Sequence, residues 1–225
     1  MANQRGNELV DDLLANPEEF DRRGRSYDLL QEYFHGFPLE TLRPLLKNRD
    51  ALVQRAAAFV GSELGKKAAP LVDDFVPLIS SGNRYLAYHA MEVLVVCARG
   101  ALADRFSHVL KALECDDEVL RALAMRLVSR ADLAQIGAAA SALGAARLDA
   151  AHDRGLFVLR QADQATAEGV EALLDAPWPL DRKYGGIAAR RLALSQPALV
   201  ERAALSEDTE VRRFIADTKG VGTLP

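Results

Sequence analysis

Glu32-Tyr-Phe-His35 sets a carboxylate and an imidazole three residues apart, the spacing by which di-iron bundles place two ligands on one helical face. Such a centre needs a second Glu-x-x-His and two further carboxylates, and none of His89, His108 and His152 has a glutamate three residues before it. Gly61-Ser-Glu-Leu-Gly65-Lys66-Lys67 has the glycines and lysine of a phosphate loop. It is one residue short between the glycines, lacks Ser or Thr after the first lysine, and follows a helical pattern where a strand is required. A helix C-terminus is expected there. His152 and Asp153 are adjacent, so on a helix their side chains diverge by about 100° and cannot pair. No Gly-x-Ser-x-Gly elbow, His-Glu-x-x-His or zinc-spaced cysteine pair occurs. A non-enzymatic chain with no metal and no cofactor is therefore expected.

Charge narrows the partner. The chain has 32 acidic and 28 basic residues, a net charge of −4. Its densest basic segments, Arg182-Lys183, Arg190-Arg191 and Arg212-Arg213, are interleaved with Asp181, Glu207, Asp208 and Glu210. Nucleic-acid binding draws most of its affinity from clustered Lys and Arg against phosphate, so a salt-bridged, solvated face is expected instead. Arginine supplies 22 of the basic residues, which suits bidentate pairing with carboxylates, although GC-rich coding accounts for most of that bias.

The elements that must position these groups are helices. Among 225 residues there are 38 Ala and 34 Leu but only 16 Val, 4 Ile and 5 Thr. Strong helix formers dominate and β-branched residues are few, which excludes an all-β or parallel-sheet chain. A pattern recurs: Asp or Asn, an apolar residue three later, a small one at seven and an apolar one at ten or eleven. Asp50 leads Val53, Ala57 and Val60; Asn83 leads Leu86, Ala90 and Leu94; Asp117 leads Leu120, Ala124 and Leu127. Asp181 leads Tyr184, Ala188 and Leu192, and Asp208 leads Val211 and Ile215, while Asp149 (His152, Leu156, Leu159) is the poorest copy. The anchors stand 33, 34, 32, 32 and 27 residues apart. An Asp or Asn side chain caps a helix start by accepting from its free N–H groups, and these offsets draw one apolar stripe. Shorter helices are expected between them at Leu39–Leu46, Ala68–Ile79, Leu102–Leu113, Asp132–Leu143, Ala167–Leu174 and Pro197–Leu205.

Asp50-Ala-Leu-Val-Gln-Arg-Ala-Ala-Ala-Phe-Val60 and Glu207-Asp-Thr-Glu-Val-Arg-Arg-Phe-Ile-Ala216 resemble the acid-capped, Val-Arg, Ala-rich second helix of HEAT-like repeats of the short bacterial kind. The resemblance covers roughly residues 38–218 and is weak around 131–165. It implies one all-α domain, a right-handed α-solenoid of about six helix pairs, with a helical cap over 1–37 and a tail over 219–225. In the cap, Tyr27, Leu30 and Phe34 share one face and Asp28, Gln31, Glu32 and His35 another. The stretch from Ile136 to Ala146 lacks large side chains, so thin packing is expected there.

In such an array the second helices line the inner face. The stripe opposite their core gives the candidate partner-binding residues: Asp28 and Glu32 in the cap, Arg55, then Tyr85, Tyr88, His89 and Glu92, then Arg121, Arg154, Tyr184 and Arg190. Tyrosines at i and i+3 bury much area with few rotors, as interface anchors do. Trp178, the single tryptophan, lies between two prolines and is expected to plug a gap between repeats. The resemblance also implies a partner class. Small HEAT-like proteins of this kind are similar to immunity proteins that neutralise a bacterial toxin domain, and the N-terminal third, net −3, is the most acidic. The same repeats occur in DNA glycosylases and pigment lyases, and in lysine-modifying hydroxylases that use His-Glu dipeptides, none of which occurs here. With no apolar leader at the N-terminus, no apolar run of about 18–20 residues and only two cysteines, Cys97 and Cys115, a reducing cytoplasm and no membrane are expected.

Overall fold

The computed structural model describes residues 2–145, 150–161 and 166–219, and every regular element among them is an α- or 3-10 helix. Packing divides the chain between Ala98 and Arg99 into two compact units.

The first unit carries α1 (Ala2–Ala15), α2 (Pro17–Arg22), α3 (Ser26–Phe34), α4 (Leu42–Leu46), α5 (Ala51–Glu63), α6 (Val72–Ile79) and α7 (Arg84–Cys97). Asp50 caps α5 by accepting from the Leu52 and Val53 N–H groups, and Asn83 caps α7 through those of Tyr85 and Leu86. The short helices expected before α5 and α7 begin as 3-10 turns, Leu39–Thr41 and Gly65–Leu71. Pro70, lacking an N–H, removes one backbone donor from the second. Successive long helices touch in chain order, α3 on α5 and α5 on α7, around fully buried Leu29, Leu42, Val60 and Phe75. In α3 the face shared by Tyr27, Leu30 and Phe34 is not the buried one: Tyr27 and Phe34 are exposed, and the buried residues are Leu29, Leu30, Glu32 and Tyr33. The helix packs against both α1 and α5, which rotates its apolar stripe by about a residue.

The second unit follows with α8 (Ser107–Lys111), α9 (Glu118–Arg130), α10 (Leu133–Ala145), α11 (Ala150–Arg160), α12 (Ala167–Leu174), α13 (Pro179–Arg191), α14 (Pro197–Ala204) and α15 (Thr209–Lys219). Asp117 caps α9, and Asp208 accepts from the Glu210 and Val211 N–H groups at the start of α15. Asp181 does not cap: Trp178 holds that position of α13, and Asp181 is its third residue, buried. Asp149 lies outside the described residues.

Helix α13 departs most from a chain-order stack. It packs on α9, α11, α12, α14 and α15, and α15 in turn reaches α9. Nine of its residues are buried, including Asp181, Lys183 and Tyr184, so it has almost no solvent face. Glycines allow the approach: a Cβ on Gly185 would meet the Leu174 backbone nitrogen at 2.9 Å, and one on Gly186 would meet Val211 at 2.9 Å. At its far end Arg191 donates to the carbonyls of Val128, Ser129 and Ala131, at 3.3, 3.3 and 2.7 Å, and so satisfies the C-terminus of α9.

Gly155 of α11 faces the Tyr184 ring so closely that a Cβ there would overlap it, whereas Gly137 of α10 has nothing within 4 Å. Gly155→Ala is therefore expected to destabilise by about 1–3 kcal/mol through overpacking. Gly137→Ala should stabilise by up to about 1 kcal/mol through helix propensity. Urea denaturation of both variants checks the pair, and equal effects would contradict the packing described.

Candidate functional site

In the first unit α5 and α7 bring together Arg55, Tyr85, Tyr88 and His89. The Arg55 guanidinium lies 4.7 Å from the centroid of the Tyr85 ring, a cation–π contact. The His89 ring meets Phe59, Tyr85 and Tyr88 edge to face, at 6.0, 4.4 and 5.4 Å between centroids. Its Nδ1 is 2.7 Å from Ser62 Oγ, and Ser62 donates its one hydroxyl proton to the Phe59 carbonyl. Burial among these rings disfavours the imidazolium and pushes His89 down to about 4. An imidazole that weakly basic is a poor general base for Ser62 at neutral pH. Tyr88 stays exposed, while Tyr85, His89 and Glu92 are half-buried, so this stripe is more core flank than open surface.

The second unit holds a groove of about 730 Å³ where the start of α13 faces the segment before α9. Trp178 stands at its edge with 63% of its surface exposed, so the expectation that it plugs a gap is corrected. Flanked by Pro177 and Pro179 at the N-cap of α13, the ring is held outward on a stiff joint. Beneath it the groove is charged. The Arg121 Nε lies 3.0 Å from both carboxylate oxygens of Glu210, and Arg121 also donates to the Cys115 carbonyl at 2.6 Å. Lys183 Nζ approaches the same Glu210 at 3.6 Å. Hydrogen bonds from Arg121 hold the Glu210 carboxyl below the usual carboxylate range. Asp181, 1% exposed, has Oδ2 at 2.5 Å from an Arg154 guanidinium nitrogen, yet no donor among the described residues is aligned for a hydrogen bond to either oxygen.

Behind the groove lies His152, which is fully buried. Its Nδ1 is 2.6 Å from Tyr184 Oη and its Nε2 is 3.1 Å from Glu114. Asp153 is exposed, in keeping with the divergence expected of adjacent helical residues. Cys115 is half-buried beside the Asp117 carbonyl, and burial pushes its thiol up, away from the reactive thiolate.

The remaining candidates scatter. Tyr184 is buried outright, because α13 is enclosed on all sides and its hydroxyl is used by His152; it is not a surface residue. Glu32 is also buried, 3.4 Å from Arg5, while Asp28 is exposed. His35 is exposed, and no cluster among the described residues could hold a metal ion. The segment from Gly61 to Lys67 is the end of α5 running into a 3-10 turn, with Gly61 against Phe75. Arg190 stacks on Phe214 at 4.7 Å, its charge disfavoured by burial. Arg121 and Arg154 both line this groove, and the spacing gave no sign that Asp181, Lys183, Glu114 and Glu210 stand beside them. The available signal was a charged Asp-Arg-Lys start followed by Tyr-Gly-Gly-Ile-Ala-Ala, a helix too apolar and too small-sided to lie at a surface.

No family model matches the chain, and no curated protein sequence matches it. Among solved structures, an engineered protein from the Northeast Structural Genomics Consortium is 18% identical over 98% of this chain and 69% of its own, with a TM-score of 0.54. A second engineered protein from the same consortium is 20% identical over 79% of this chain and 93% of its own, with a TM-score of 0.45. The first likeness concerns the fold alone.

Glu210→Gln is expected to destabilise by about 1–3 kcal/mol, since it leaves Arg121 and Lys183 without their shared anion. The native contribution should be full above the ordinary glutamate value of 4.5 and fade as pH falls through the lowered folded value, and urea melts across that range would show it. His89 acts in the window above. Because its folded value is depressed from 6.5 to about 4, the unfolded chain takes up a proton first, and stability should fall as pH drops from about 6.5 towards 4. His89→Gln should flatten that slope; an unchanged slope would contradict the assignment.

Proposed function

We propose that this chain is a HEAT-like repeat protein acting as a non-catalytic protein-binding module, with the groove of its second unit as the contact site. Three N-terminal helices cap six helix pairs in a right-handed α-solenoid: the turn-plus-α4 segment with α5, α6 with α7, α8 with α9, α10 with α11, α12 with α13, and α14 with α15. Chain-order contact from α3 to α5 to α7 supports this reading, as do the capping side chains of Asp50, Asn83, Asp117 and Asp208. The contacts of α9 with α13 and α15 make the later repeats atypical.

The observation that carries the binding role is Trp178, exposed on a proline-stiffened joint at the lip of a groove with a charged floor. Rigid aromatic anchors beside desolvated charges are what interface hot spots are made of. Catalysis is poorly served here: the Cys115 thiol is pushed up, His152 is sealed, and Glu210 is shared by two cations. Glu114, Asp116, Asp181 and Glu210 outnumber Arg121, Arg154 and Lys183 along the groove, which disfavours phosphate and favours a basic protein surface. That fits an immunity protein whose partner is a toxin domain with a basic active site, working in the cytoplasm.

Co-purification with the products of adjacent reading frames is expected to yield a stable complex, weakened about tenfold or more by Trp178→Ala. Failure to bind any of them would end the immunity reading. A shift of duplex DNA at micromolar protein and low salt would end the protein-binding one.

A further inference from the structure

We infer that the groove is built to receive an arginine side chain presented by the partner, with Asp181 as its counter-ion and Trp178 as its stacking face; this rests on the groove being the contact site. Asp181 is the first reason. A carboxylate this buried should have its lone pairs filled, because an unmet polar group away from water costs free energy comparable to a lost hydrogen bond. Among the described residues neither oxygen receives an aligned hydrogen bond, and Oδ2 is held by ion pairing to the Arg154 guanidinium at 2.5 Å.

The second reason is what surrounds it. Glu210 is shared by Arg121 and Lys183, a trio of net charge +1 whose two cations are both paired with Glu210. Arg154, by contrast, has a side chain 58% exposed, so it lies at the solvent side of the pair, where an incoming guanidinium can replace it while the buried Asp181 stays paired. It fills the position with the chemistry the site is suited to: a planar guanidinium against a carboxylate. Trp178 lies three residues before Asp181 and offers an exposed indole face, and arginine stacks on indole better than lysine does. A groove of about 730 Å³ with Leu113, Pro179 and Leu180 in its wall holds more than one side chain, which favours a peptide segment over a free small amine.

Because Trp178 is the single tryptophan, its fluorescence reports on the groove directly. The titrant is a hexapeptide with one central arginine among alanine and serine, compared with the same peptide carrying citrulline, an uncharged isostere, or glutamate. A saturable fluorescence change with the arginine peptide is expected, at least about tenfold weaker with citrulline and absent with glutamate. Asp181→Asn should weaken arginine binding about tenfold. Arg154→Ala should tighten it about threefold or more by removing the internal competitor, an effect that a misfolded variant cannot produce. Equal binding of arginine and citrulline peptides, tighter binding of the glutamate peptide, or weaker binding by Arg154→Ala would each overturn the inference. So would a response to agmatine as strong as to the peptide, since the site would then take a free guanidine. A natural partner whose binding needs Trp178 but is indifferent to Asp181→Asn would sink the arginine pocket while leaving the protein-binding role standing.

Discussion

A helix enclosed on every side cannot turn its polar residues to water, and the second unit is organised around that constraint. α13 carries Asp181, Lys183 and Tyr184 into the interior, so other helices must supply a partner for each. Glu210 from α15 comes to Lys183, His152 from α11 to the Tyr184 hydroxyl, and Arg154 from the same helix to Asp181. Low surrounding polarity strengthens each match and makes a missing one costly, so these pairs fix how α9, α11 and α15 sit about α13. Glu210 then draws in Arg121, which ties α9 to α15 across 89 residues of sequence.

The same arrangement shapes the groove proposed as the contact site. Where the ring of partners is complete, along Arg121, Glu210 and Lys183, the chemistry is closed and structural. At Asp181 the partner, Arg154, is largely exposed, and Trp178 is exposed at the same groove. The first unit offers no equivalent. His89 is packed among aromatic rings and hydrogen-bonded to Ser62, and Arg55 stacks on its neighbour Tyr85. Its aromatic cluster therefore serves mainly to join α5 to α7.

Local chemistry was legible wherever the cause lay within a few residues. The side chains of Asp50, Asn83, Asp117 and Asp208 cap helices because an oxygen two or three residues before a free N–H has little choice. The same spacing misled at Asp181, since Pro177-Trp178-Pro179 starts α13 three residues earlier and turns the supposed cap into a buried first-turn acid. Tyr184 was placed both in the apolar stripe and on the partner face, and burial leaves it only the first. Glu32 misled for the opposite reason: a charged residue in a polar-looking stripe was drawn under α1 when α3 packed against two neighbours.

The amino-acid order by itself determined an all-helical chain among the described residues and most of the helix starts, because these depend on spacing and residue type. Tertiary structure alone decided that the chain packs as two units, that α13 is central to the second, and that Trp178 is exposed at the groove Asp181 lines. Those outcomes depend on which helices meet across distances of 30 to 90 residues, and one apolar stripe pairs equally well with several others until glycine clearances and buried charges select among them.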